Sequence, residues 1–181
     1  MKCLTLLIAV LAISSTVRAA EGDGNQALEL VRAMRSDEIS LAGAKHAFIS
    51  GALDDRFPRT NATCVRKVPA AEFTASMARV VATVLEPTQI EGALKFYRSD
   101  AGRKYVDGIL RRLRTRLGDA SGIAEIAGTE AVSPAELAAI SDFTSSDLGR
   151  KVTGKDMSES PAALQYGRDM LARIASQCGR K

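Results

Sequence analysis

A nine-residue phrase occurs twice in this chain of 181 residues, and it constrains the fold more than any other feature. Phe96–Lys104 (FYRSDAGRK) returns as Phe143–Lys151 (FTSSDLGRK), so that both copies fit the pattern F-x-x-S-D-x-G-R-K. The same offset of 47 residues aligns Pro87 with Pro134. Similarity at a fixed spacing is typical of a duplicated structural unit. We therefore expect one supersecondary unit to be present twice.

Each copy is predicted to form a helix, a sharp corner and a second helix. The Phe falls in the last turn of the incoming helix, where a large apolar side chain can fill the corner. The Ser caps the outgoing helix, and the Asp complements the positive end of its dipole. The Gly lies at about the third helical position, where the absence of a Cβ allows two backbones to approach closely.

This interpretation leaves only the two Arg-Lys pairs, Arg103-Lys104 and Arg150-Lys151, without a structural role. We predict that these side chains point toward solvent or toward a partner. Backbone amides at a helix N-terminus favour anions, although the Asp of each copy already places a negative charge there. The pairs are therefore candidate contacts for an anionic ligand.

The composition favours helices over strands. Trp is absent, aromatic residues make up 4% of the chain and Ala is abundant, whereas sheets are usually rich in β-branched and aromatic residues. Apolar residues recur at helical spacing, as in the stripe formed by Phe73, Met77, Val80 and Val84. We predict a single all-α domain of seven or eight helices, a helical bundle with an internally repeated helix–kink–helix unit, over residues 21–181.

Other segments are assigned by the same periodicity. Residues 54–68 contain Pro, Thr and Asn and break the helical pattern, which predicts a surface loop. Residues 118–128 are rich in small side chains and are predicted to form a short helix. Leu137 is predicted to lie on an apolar face of the helix that opens at Pro134, and Leu164 on the apolar face of the last helix.

The first 20 residues have the features of an export signal. A short positive start is followed by an apolar run from Leu4 to Ile13 and then by small residues that end at Ala20. The apolar run is too short for a membrane span, which needs about 20 residues. We predict cleavage near Ala20 and a periplasmic protein without a transmembrane span. Secretion and a retained anchor are the alternatives.

Cleavage would discard Cys3 and leave Cys64 and Cys178. In an oxidising compartment two cysteines usually pair, which predicts a Cys64–Cys178 disulfide. In the chain-entropy model a loop of over a hundred residues corresponds to about 4–5 kcal/mol of stabilisation. Two free thiols and intermolecular pairing are the alternatives, and no C-x-x-C spacing indicates a redox-active pair.

The first copy of the phrase resembles the DUF2059 family, exported helical domains of bacteria with no assigned activity. The resemblance rests on the pattern F-Y-x-S-x-x-G-x-K, after a helix opened by proline, and covers about residues 70–155. The second copy has Thr144 in place of Tyr97, and both copies have Asp after the Ser, where family members more often have Pro. The resemblance implies an all-helical fold and a location in the bacterial envelope. It implies no catalytic residues.

No pattern of residues indicates an enzyme, a metal site or a cofactor. His46 is the one histidine, so a nucleophilic site with a histidine base would have to be built on it. There is no His/Cys cluster with the spacing of metal ligands. Loss of Lys2 and Arg18 with the export signal reduces the formal charge from +4 to +2, which gives no reason to expect a nucleic-acid partner.

One stretch stands out by charge, the sequence RRLRTR at residues 111–116. It makes one helix basic on its polar side, which is the pattern of a solvated helix face or of a contact with anionic lipid, lipopolysaccharide or an acidic envelope protein. The candidate anionic-ligand contacts are therefore Arg103, Lys104, Arg111, Arg112, Arg114, Arg116, Arg150 and Lys151.

The leading functional prediction is a non-enzymatic binding or interaction module. The alternative is a carrier of a small molecule or lipid, with an apolar cavity between helices lined by Phe73, Met77 and Ile109. A cavity of several hundred cubic ångströms at these residues would favour the carrier. A solid core with an exposed apolar or basic face would favour the interaction module.

Overall fold

A computed structural model describes residues 24–57, 59–118, 123 and 131–179. Within these residues all regular elements are helices, accompanied by one isolated antiparallel bridge between Thr60 and Gly179. This confirms the predicted all-α domain. The export signal predicted for residues 1–20 and most of the helix predicted for residues 118–128 lie outside the described residues. The helices are α1 (24–34), α2 (Ser36–Ile49), α3 (Ala62–Lys67), α4 (Ala71–Val84), α5 (Pro87–Tyr97), α6 (Asp100–Leu117), α7 (Pro134–Ser145), α8 (Asp147–Thr153), α9 (Lys155–Ser158) and α10 (Pro161–Cys178).

The core is built mainly from the apolar stripes of α1, α2, α4, α5, α6 and α10. On α4 the predicted stripe is confirmed, because Phe73, Met77 and Val80 are all buried. The most deeply buried large side chains come from four different helices, α1, α5, α6 and α10. Burial of each such side chain stabilises the fold by about 1.5–3 kcal/mol. These side chains are Leu30, Ile90, Leu110 and Ile174.

The loop predicted for residues 54–68 is wrong over its second half, where the chain forms α3. Asn61 caps this helix by accepting a hydrogen bond from the Cys64 backbone N–H at 3.1 Å. Val65 is completely buried. A helix of six residues has fewer than two turns, so its apolar residues could not show a helical period. Its stability comes from the packing of Val65 and from the predicted disulfide.

The Cys64–Cys178 disulfide is confirmed. It joins α3 to the last residue of α10, and the two Cα atoms lie 5.5 Å apart. A backbone hydrogen bond of 2.8 Å from Asn61 to the carbonyl oxygen of Cys178 lies beside it. The bond therefore fastens the C-terminal helix to the short helix that sequence periodicity does not reveal.

Two predicted apolar faces are less buried than expected. Leu137 on α7 is 61% exposed and Leu164 on α10 is 50% exposed. None of the residues of α7 is fully buried, because this helix packs mainly against α6 and α8 at the edge of the described structure. On α10 the predicted positions Ile174 and Cys178 are buried, together with Tyr166, Met170 and Ala175.

The two copies of the phrase form two helix–corner–helix units, α5–α6 and α7–α8, that pack reciprocally. Helix α5 contacts α8, and α6 contacts α7. The equivalent residues Phe96 and Phe143 stack face to face between the units, with ring centroids 3.8 Å apart and an interplanar angle of 7°. Reciprocal contacts between equivalent residues are the mark of a two-fold relationship. The duplication thus produces an internal pseudo-dimer.

The corner itself is built as predicted, and identically in both copies. Ser99 accepts a hydrogen bond from the Gly102 N–H at 3.1 Å and donates one to the Phe96 carbonyl at 2.6 Å. Ser146 makes the equivalent bonds, at 3.0 and 2.7 Å. A Cβ on Gly102 would lie 2.1 Å from the same Phe96 carbonyl oxygen. The Gly is therefore required because the outgoing helix starts against the end of the incoming one.

Candidate functional site

The two arginines of the phrase have structural roles, contrary to our prediction. Arg103 pairs with Asp100 and donates a hydrogen bond to the Arg98 carbonyl. Arg150 pairs in the same way with Asp147 and with the carbonyl of Ser145. Each guanidinium therefore joins the end of the incoming helix to the start of the outgoing helix at its own corner. Both side chains remain more than half exposed.

The two lysines of the phrase also have structural roles, and these join the two units. Lys104 Nζ lies 2.9 Å from the carboxylate of Glu136 on α7 and 3.1 Å from the Ala131 carbonyl oxygen. Lys151 Nζ lies 2.9 Å from the side-chain oxygen of Gln89 on α5. Gln89 and Glu136 are equivalent residues, so the pseudo-two-fold relationship is repeated in these contacts. The prediction that the lysines point toward solvent or a partner is wrong.

The acceptors of these lysine contacts also cap their own helices. Glu136 accepts a hydrogen bond from the Ser133 backbone N–H at 2.7 Å, and Gln89 accepts one from the Glu86 N–H at 3.1 Å. The hydrogen bond from Lys104, together with those from Ser133, lowers the pKa of Glu136 to about 2. The lysine of each unit therefore binds the helix start of the other unit.

The arginines predicted at residues 111–116 divide into two pairs along the second half of α6. Arg112 and Arg116 are exposed. Arg111 and Arg114 are half-buried and interact with other groups. Of these four arginines, the exposed pair, which is spaced i and i+4 on one side of the helix, faces solvent.

A cavity of about 440 Å³ lies between the helices and opens partly to solvent. We call it the central cavity. Residues of α1, α2, α4, α5, α6, α8, α9 and α10 line it, and its walls are predominantly apolar. Its volume is within the usual range for small-molecule sites, about 300–1,000 Å³. Of the three residues that we predicted to line a carrier cavity, Met77 and Ile109 do so.

The prediction for Phe73 is wrong. Phe73 lines a separate, more polar groove of about 380 Å³ between α4 and α10. There the guanidinium of Arg173 lies 5.7 Å from the centre of its ring. Phe73 and Met77 are four residues apart on α4, so sequence spacing placed them on one face. In the structure α10 packs against α4 and borders both openings, and the two side chains line different ones.

Methionine and tyrosine are concentrated in the lining of the central cavity. The chain has five methionines and three tyrosines. All three tyrosines line the cavity, and so does each methionine after Met1. Methionine side chains are flexible and polarizable, and they are over-represented at surfaces that accept varied apolar ligands. The lining residues of these two types are Met34, Met77, Tyr97, Tyr105, Met157, Tyr166 and Met170.

Hydroxyl groups supply polar character where α2 and α10 meet at the cavity. Ser36, Ser40 and Tyr166 all belong to the lining. The hydroxyl oxygens of Ser36 and Tyr166 are buried and make no hydrogen bond. Burial and then the neighbouring Asp37 raise the pKa of Tyr166, whereas the nearby Ser40 hydroxyl, which lies outside hydrogen-bond geometry, lowers it. The Tyr166 hydroxyl therefore stays protonated and can donate a hydrogen bond.

Among the described residues, no group of three or more His, Cys, Asp or Glu side chains is placed to hold a metal ion. His46 is half-buried on α2, and its Nδ1 is buried without a hydrogen-bond partner. Across the described part of the chain, no helix is both long and apolar enough to cross a membrane.

Comparison of the chain with protein-family models, with curated proteins and with solved structures gives no match. The resemblance to DUF2059 therefore stays a prediction.

Proposed function

We propose that this protein is a non-enzymatic binding protein of the bacterial periplasm that holds a small, largely apolar molecule in the central cavity. The observation that carries the proposal is the lining, which gathers four methionines and three tyrosines from six helices around about 440 Å³. Such a lining combines adaptable apolar surface with a few hydroxyl groups, which suits reversible binding.

The size of the cavity limits the ligand. At about 30 Å³ for each molecule of liquid water, the cavity has the volume of about 15 water molecules. A short acyl chain or a compound of one or two rings fits this space. A phospholipid with two long chains does not, so a small-molecule carrier is favoured over a carrier of whole lipids.

The export signal and the disulfide support the periplasmic part of the proposal. Residues 1–20 have the charge, apolar core and small final residues of a cleaved signal. A disulfide between Cys64 and Cys178 is compatible with an oxidising compartment. Fractionation of bacterial cells that express the full chain, followed by mass determination of the mature N-terminus, tests this part.

Ligand binding is tested with N-phenyl-1-naphthylamine, an uncharged probe that fluoresces in apolar sites. We expect saturable binding to the wild-type protein. Ala163→Phe places a large ring in the cavity wall and is expected to weaken binding at least about tenfold. Ala172→Phe is the matched control, because Ala172 is exposed on the same helix. Equal binding by both variants, with circular dichroism showing that both are folded, would contradict the proposal.

A second candidate function is a contact between α6 and an anionic envelope component, and it rests on the exposed arginines Arg112 and Arg116. The test is co-sedimentation with liposomes at low salt. Arg112→Gln with Arg116→Gln should reduce binding to anionic vesicles. Arg103→Gln with Arg150→Gln removes the same charge from the paired arginines and serves as the control. Equal sedimentation of the wild-type protein with anionic and neutral vesicles would exclude this function.

A further inference from the structure

We infer that the ligand of the central cavity is an uncharged amphipathic molecule, with an apolar body and a hydroxyl or carbonyl group that meets the α2–α10 side of the cavity. The inference rests on the proposed binding function and goes further, because it states which chemical class the cavity accepts. It also states which charged relatives of that class the cavity rejects.

The described wall of the central cavity is uncharged. Among the described residues, no Lys, Arg, His, Asp or Glu lines the central cavity, and its polar side chains carry only hydroxyl groups. A carboxylate or ammonium group that entered would lose water without meeting an opposite charge. Burial of an unpaired ion is strongly unfavourable, by several kcal/mol even after relaxation.

One side of the central cavity has unused hydrogen-bonding capacity. Ser36 and Tyr166 belong to the lining, and their hydroxyl oxygens are buried without a hydrogen bond. Buried polar groups without partners are rare and unfavourable in native proteins. A ligand hydroxyl or carbonyl at this side would satisfy these groups once the Ser36 or Tyr166 side chain turned toward it, whereas a pure hydrocarbon would not.

Asp37 is buried close to this side of the cavity, near Tyr166. Its carboxylate raises the pKa of Tyr166, so its negative potential extends to the tyrosine hydroxyl. A ligand carboxylate at the same position would be repelled. A ligand cation would be attracted by the same potential, but Asp37 does not line the cavity, so the cation would lose water without forming a direct ion pair.

The experiment compares octan-1-ol, octanoate and octylammonium as competitors of bound N-phenyl-1-naphthylamine at pH 7.4. The three compounds share one chain and differ in head-group charge. We expect octanol to displace the probe at concentrations at least about tenfold lower than either ion. Displacement by octanoate or octylammonium as effective as that by octanol would overturn the inference and leave the proposed function standing. Absence of probe binding to the wild-type protein would overturn both.

Two variants test the contact with the hydroxyl group. Tyr166→Phe and Ser36→Ala should each reduce the ratio of octanol affinity to octanoate affinity about three- to tenfold, the effect of one hydrogen bond. The ratio is informative because a general loosening of the cavity would change both affinities together. An unchanged ratio in both folded variants would contradict the proposed position of the head group.

Discussion

Substitution of Gly102 by Ala tests the structural explanation of the repeated phrase. A Cβ at this position would lie 2.1 Å from the Phe96 carbonyl oxygen and 2.7 Å from the Tyr97 Cα, closer than real Cβ contacts. The carbonyl cannot move away freely, because Ser99 Oγ donates a hydrogen bond to it at 2.6 Å. Forced overpacking of this kind destabilises proteins by about 1–3 kcal/mol, and loss of the Ser cap adds about 1 kcal/mol.

The helix propensity of Ala offsets about 1 kcal/mol of this loss. The expected net effect of Gly102→Ala is therefore a decrease of about 1–3 kcal/mol in the free energy of unfolding. Gly108→Ala is the matched control, because Gly108 lies in the same helix and a Cβ there would meet nothing within 4 Å. The control should gain about 0.5–1 kcal/mol.

Urea denaturation followed by circular dichroism at the helical band measures both changes. The two variants should differ by about 3 kcal/mol, or by about 6–12 °C in Tm for a chain of this size. Gly149→Ala should behave like Gly102→Ala, since a Cβ there would lie 1.8 Å from the Phe143 carbonyl oxygen. If Gly102→Ala were as stable as Gly108→Ala, the close approach at the corner would not be the reason for the Gly.

Three further predictions concern stability. Lys104 and Ser133 lower the pKa of Glu136 from 4.5 to about 2. The ionised side chain therefore stabilises the fold above pH 4.5, and this contribution is lost as the pH falls to 2. The difference in unfolding free energy between wild type and Glu136→Gln, measured by urea denaturation, should be constant from pH 7 to 5 and then shrink. Burial lowers the pKa of Lys45 from 10.5, so the unfolded state binds more protons than the folded state at alkaline pH. The wild-type protein therefore gains stability as the pH rises toward 10.5, and the stability of Lys45→Met relative to wild type should fall over the same range. Joint replacement of Cys64 and Cys178 by Ala should lower the free energy of unfolding by about 4 kcal/mol, and a loss below 1 kcal/mol would contradict a role in restricting the unfolded chain.

The corner was predictable from sequence because its contacts are local. Ser99 and Gly102 are three residues apart, and a capping hydrogen bond at that spacing depends only on the residues in one turn. The capping box at Ser133 and Glu136 was predictable for the same reason. Capping hydrogen bonds of this type join residues that are close in sequence, so they can be predicted without knowledge of the tertiary structure.

The roles of the lysines were not predictable in this way. Lys104 and Glu136 are 32 residues apart, and Lys151 and Gln89 are 62 residues apart. Their contacts exist only because the two units pack reciprocally. A repeated sequence predicts two copies of a unit, but it does not state which surfaces of the copies meet. The available signal was that Gln89 and Glu136 are separated by the same 47 residues as the two copies of the phrase, which makes them equivalent positions.

The central cavity was partly predictable for a related reason. Helical periodicity correctly placed Met77 and Ile109 on inward faces. It could not distinguish a residue that fills the core from one that borders an opening, because both are apolar at the same spacing. The signal that could have been used is composition, since the methionines and tyrosines of this aromatic-poor chain fall at inward positions of several helices.

The two repeated units line part of the central cavity, and the hydroxyl groups that we propose select the ligand lie outside them, on α2 and α10. Tyr105 and Val152 are equivalent residues of the two units, as are Val106 and Thr153, and all four line the cavity. The pseudo-dimer therefore supplies two related walls, and these walls are mainly apolar. The buried hydroxyl of Tyr166 comes from α10, outside the repeat. Substitutions at the cavity wall within the repeated units should thus change the affinity for the apolar body of the ligand. Substitutions on α2 and α10 should change which polar group of the ligand is accepted.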